Sequence, residues 1–130
     1  MYNVRKGWPS EGAIDEVLTA ASGQTIEDGM IVSVANDQAS VATFTSSLTG
    51  IPAFIIGKEA VKGTFTGLMS QCVIEVDSAH YVAGTYAAGD LLTATGGKFE
   101  VTTTAAAAIG KVLKFDATTG TLRVLWYESH

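Results

Sequence analysis

Histidine titrates closest to neutrality of all side chains, so acid-base or nucleophilic chemistry would most readily gather around one. The chain has two. His130 stands at its end, and His80 closes the run Asp77-Ser78-Ala79-His80, which holds the residue types of a hydrolytic triad. A triad needs the imidazole within reach of both partners, and consecutive residues of extended chain splay them apart. The run therefore reads as a polar strand end. The single cysteine, Cys72, lies in the apolar stretch LMSQCVIEV with no basic or histidine neighbour to lower its pKa, which describes an inert buried thiol and excludes an intrachain disulfide.

Two histidines and one cysteine show none of the spacings that hold zinc. The acidic pairs Asp15-Glu16 and Glu27-Asp28 offer oxygens, but no Asp-x-Asp-x-Asp-Gly calcium loop exists. Gly89-Asp90 and Gly96-Gly97 lack the following helix and Lys-Ser of a phosphate loop and read as turns. Trp8, Trp126 and Tyr127 could stack a sugar or a base, although protein interfaces and β-cores use the same aromatics. These readings assign no catalytic, cofactor-binding or metal-ligating residue, so a non-enzymatic protein is expected.

What must position these residues follows from composition. One hundred and thirty residues suit one domain, and a hydrophobic fraction of 47% with 16% charged residues lies far from the signature of disorder. Charge is also low against the roughly 25% of ordinary soluble domains, which points to surface buried against other subunits. A net charge of −5 and no basic cluster longer than Arg5-Lys6 argue against nucleic acid. The N-terminal MYNVRKGWPSEG lacks the apolar core of a signal peptide and no run approaches a membrane span, so a soluble product of the cytoplasm is expected.

The chain repeats itself. Glu27 to Phe44 and Ala87 to Thr104 align at one constant offset, with Gly29 against Gly89, Ile31 against Leu91 and Val41 against Val101. Each copy then reaches an apolar Gly-Lys, at Gly57-Lys58 and at Gly110-Lys111. Met30 to Val34 is rich in β-branched residues, turn formers follow, and Ala39 to Phe44 alternates, which defines a hairpin. Gly96-Gly97 marks the tightest turn of the second copy, since glycine takes the positive φ of primed hairpin turns. Thr102 to Ala108 reads as a compact crossover.

Elsewhere, Ala13 to Ala21 fits a short helix by propensity or a strand through Val17-Leu18-Thr19, and the strand reading is taken. One or two strands fit Gly63 to Val76. Lys111 to Phe115 and Thr121 to Tyr127 form a last hairpin in which Leu122, Val124 and Trp126 share a face. Trp8-Pro9 forces an extended backbone, so Met1 to Gly12 is read as an arm that lies either on its own domain or on a neighbour. The expected fold is all-β: a compact barrel or sandwich spanning 13–130, built from two similar hairpin units (about 25–58 and 85–113), with the arm at 1–12.

One pattern in the second copy resembles a known group. Thr85-Tyr86-Ala87-Ala88-Gly89-Asp90-Leu91-Leu92, Gly97-Lys98-Phe99, Ala108-Ile109-Gly110-Lys111-Val112-Leu113 and Leu122-Arg123-Val124-Leu125-Trp126 together resemble the small β-rich head proteins of tailed bacteriophages, including capsid decoration or cement proteins. The resemblance covers about residues 68 to 127 and implies that these segments are consecutive strands of a compact β-domain. It implies a virion structural protein on the capsid surface, made in the host cytoplasm, whose partners are the major capsid protein and copies of itself, commonly in a homotrimer. It carries over no catalytic residue or cofactor. Candidate interface residues are Tyr2, Val4, Arg5, Trp8, Trp126 and Tyr127. A different class, a fibre or tail module that binds a cell-surface glycan through Trp126 and Tyr127, is the alternative.

Overall fold

A computed structural model describes residues 2–6, 15–36, 38–59, 64–68 and 72–126. It is all-β, as the strand spacing predicts. The strands are β1 (Tyr2–Lys6), β2 (Asp15–Ala20), β3 (Ile31–Ala35), β4 (Gln38–Val41), β5 (Ile51–Glu59), β6 (Thr64–Leu68), β7 (Cys72–Val76), β8 (Leu91–Thr95), β9 (Lys98–Thr102), β10 (Gly110–Asp116) and β11 (Thr121–Trp126). Five of them close a barrel in the order β2-β4-β3-β5-β6, and the other six form a sheet in the order β1-β7-β11-β10-β8-β9.

Apart from β1, those two orders are the same order. Replacing β2 to β6 by β7 to β11 converts the barrel's sequence of neighbours into the sheet's, so the duplication is a complete five-stranded unit rather than a hairpin with one return strand. Its details repeat as well. The hairpin of the first unit pairs Val32 with Val41 and Val34 with Ala39; that of the second pairs Leu92 with Val101 and Ala94 with Phe99. The amides of Gly29 and Gly89, both at positive φ, donate at 2.8 Å to Ile55 and Val112. Both β5–β6 and β10–β11 carry a register shift, at Ile55/Gly57 and Val112/Lys114.

Closure differs. In the first unit β2 runs parallel to β4, with Ala20 opposite Ala39 and the Ala21 amide donating to the Ala39 carbonyl at 2.9 Å. The second unit keeps only a single parallel bridge, Tyr81 to Phe99, with the Val82 amide on the Phe99 carbonyl at 2.8 Å. A 3₁₀ turn at Ser78–His80 interrupts the strand that would have continued the pairing. The opposite margin of that sheet is covered by β1, whose backbone pairs with β7 through Tyr2–Val76 and Val4–Ile74. Of the two placements open to the arm, residues 2–6 take the one on their own chain.

The repeat corrects one feature of the sequence alignment. Gly110 lies opposite Leu92, and the counterpart of Leu92 is Val32, whose partner is Ala53. Gly110 therefore corresponds to Ala53, and the shared Gly-Lys dipeptides are not equivalent in space. The residues 102–108 do make a compact crossover, with a 3₁₀ turn at Ala105–Ala107.

Alternation decides what is buried. In β11 the side chains of Leu122, Val124 and Trp126 point inward and are fully buried, as the shared face predicts. One cluster fills the first barrel around Leu18, Ile26, Val32, Val34, Ile55 and Phe65. A larger one belongs to both units, because Ile31, Phe44 and Phe54 of the first join Ile74, Leu92, Phe99, Val124 and Trp126 of the second. At its centre Phe54 lies 6.2 Å from Phe99 and 6.3 Å from Trp126, the latter pair edge to face. Burying a side chain of this size is worth about 2–3 kcal/mol, so this shared core fastens the two units into one body.

Candidate interaction surface

The residues nominated for an interface separate. Tyr2, Val4 and Arg5 belong to β1, at the margin of the six-stranded sheet. Trp8 and Tyr127 lie outside the described residues. Trp126 is corrected outright: its side chain is 0% exposed, held between Phe54 and Phe99, and its ring is not available to stack a sugar or a partner. The reason was already in the strand period, since a residue two places from Val124 must share its inward face.

The run Asp77-Ser78-Ala79-His80 is a turn. The Asp77 carboxylate caps it by accepting from the Ala79 amide at 3.1 Å, and the His80 Nε2 stands 4.0 Å from Asp77 Oδ1. The imidazole itself is directed at Gly29 of the first unit, where an added Cβ would stand 2.4 Å from Cε1. Burial holds His80 below its usual pKa. Cys72 is buried as expected, and burial pushes its thiol up to about 12. Among the described residues no group of three His, Cys, Asp or Glu side chains is arranged to hold a metal ion.

The outer face of the second sheet carries a polar cleft of about 210 Å³ lined by Glu75, Lys114, Asp116, Thr119, Thr121 and Arg123. Cross-strand register builds it, because Arg123 lies opposite both Glu75 and Lys114. The Arg123 Nη2 donates to Glu75 Oε2 at 3.2 Å, and Asp116 is engaged in its own turn, accepting from the Thr118 and Thr119 amides. Two cations and two carboxylates balance, so the cleft selects neither an anion nor a cation.

Joined surfaces are more telling. The second hairpin is seated on the first unit: the Ile31 amide donates to the Gly97 carbonyl at 2.9 Å, the Gly97 amide to Ala42 at 2.9 Å, and the Gly96 amide to the Thr43 hydroxyl at 2.9 Å. The Phe44 amide donates to Ala94 at 2.9 Å, and the Thr93 hydroxyl to Phe44 at 3.1 Å. Among the described residues the large hydrophobic side chains left exposed are Ile51, Val101 and Leu113. No known protein family, curated protein or solved structure matches the chain.

Proposed function

We propose that the chain is a virion structural protein, a decoration or cement protein that sits as a homotrimer on the outer surface of a tailed-phage capsid and braces contacts between major capsid proteins. One observation carries the reading: the segments that bear the resemblance lead into or lie on β8, β9, β10 and β11 of a single sheet. Of their apolar positions, Leu92, Phe99, Ile109, Val112, Leu122, Val124 and Trp126 belong to one buried cluster, while Leu113 is exposed. These are strand and core positions, as a compact β-domain of that kind would require.

Physical requirements of bracing agree with this. A clamp must not deform under load, and two units fused through a shared aromatic core resist relative movement better than two beads on a linker. Low charge favours burial against partners, and many copies on a symmetric shell gain by multivalency without a tight single contact. The test is co-sedimentation with capsids of the phage that encodes the chain: binding to assembled shells and none to free capsid subunits is the expected outcome, and failure to pellet with shells sinks the reading.

A further inference from the structure

We propose that the uncovered face of the second unit is a self-association surface that receives the β3–β4 turn of another copy of this chain. The duplication shows what such a face holds. On the first unit it is occupied: His80 covers Gly29, and the Gly96-Gly97 turn is seated against Ile31, Ala42 and Thr43, with an added Cβ at Gly97 only 3.2 Å from Val41 Cγ1. On the second unit the counterparts are open. An added Cβ at Gly89 meets no described atom within 4 Å, and Val101, the counterpart of the half-buried Val41, is 42% exposed, with Thr103 beside it as exposed as Thr43.

The described residues of the matching turn face solvent. Asn36 is the counterpart of Gly96 and has nearly the same φ, 54° against 58°. It is exposed, as are Ala35 and Gln38 beside it. This turn and the open face are on different units of one chain, so they meet only between copies. Such a contact is heterologous, and successive copies close into a ring or run on as a filament. The inference stands on the duplication alone; the capsid reading supplies only the trimer that a closed ring of three would build.

The residues also set its strength. Met30, Ala42 and Phe44 of the occupied face are replaced by Asp90, Thr102 and Thr104, which makes the open face wetter. Gly97 takes one half of the rung between Ile31 and Ala42, leaving the Ala42 amide on the Ile31 carbonyl at 3.1 Å, whereas the equivalent residues Leu91 and Thr102 are a regular pair. The sequence position matching Gly97 is Asp37, and at Gly97 an added Cβ would press on Val41 at 3.2 Å. Each single contact is therefore weak, and Asp37→Gly strengthens it.

Cross-linking reads weak contacts directly. Asn36→Cys and Thr103→Cys are placed in one chain and treated with a short bismaleimide; Cys72 is buried and does not compete. Covalent dimers and trimers are expected from the double variant and none from either single variant. Adding Val101→Glu should cut the yield at least about tenfold, the scale of a central contact residue, and adding Asp37→Gly should raise it. A double variant that stays monomeric, a lone Asn36→Cys that links as well as the pair, or an Asp37→Gly that changes nothing overturns the proposal. No shell is present, so the two readings fail separately: a monomer that pellets with capsids removes this contact, and a linked ring that ignores capsids removes the proposed function.

Discussion

The imidazole of His80 rests on Gly29 across the boundary between the two units, and only glycine permits it: a Cβ would stand 2.4 Å from Cε1 and 2.8 Å from Nδ1. Gly29 also has a φ of 83°. Gly29→Ala therefore combines left-handed strain with overpacking and should cost about 2–4 kcal/mol. Gly89→Ala, at the equivalent turn with open space around it, carries strain alone and should cost about 1–2 kcal/mol. Denaturant melts of the two variants check the difference.

The same contact gives stability a pH dependence. Burial holds His80 below its ordinary 6.5 and the neighbouring Lys98 acts in the same direction, while Asp77 and a hydrogen bond with the Gly29 backbone oppose them. With the folded pKa depressed, the unfolded chain takes up the proton first, so this contribution is whole above 6.5 and is lost as pH falls below it until the folded histidine protonates too. Melting temperature across this interval should decline in the wild type and decline less in His80→Gln.

Trp126 separates the core from the surface account of the last strand. Trp126→Ala should cost about 3–5 kcal/mol, as large aromatic truncations in a core do. Trp126→Phe should cost far less, because the indole Nε1 is buried without a hydrogen-bond partner and nothing polar is lost with it. An alanine variant as stable as wild type would return the ring to the surface.

Cys72 should be silent in the native protein. With its thiol pushed up to about 12 and its side chain 4% exposed, it should react with a thiol reagent at mildly alkaline pH only as fast as the chain opens, and completely in denaturant. Rapid labelling of folded protein would place it elsewhere.

How much of this was legible in the sequence follows from where its signals lie. Hairpins carry theirs in the turn, so β3–β4 and β8–β9 were readable from Asn36 and Gly96-Gly97, and β10–β11 from its glycine-bearing turn and alternating face. The outer strands of each unit were not, because Leu18 and Val76, or Phe65 and Leu122, correspond through register and burial and share no identity. The Gly-Lys dipeptides misled for the converse reason: identical residues stood at unequal places, and Gly110 is glycine because its added Cβ would stand 2.6 Å from the Leu125 carbonyl oxygen. The hydrogen-bonded seating of one unit on the other was invisible, since most of those bonds join backbone groups that every residue has.

The central claim is that this chain braces a shell, and heat release of the genome from capsids stripped of it tests that most directly. Adding back the purified protein should raise the release temperature and saturate at a fixed number of copies per shell. Stripped and replenished capsids that open at the same temperature would contradict the account.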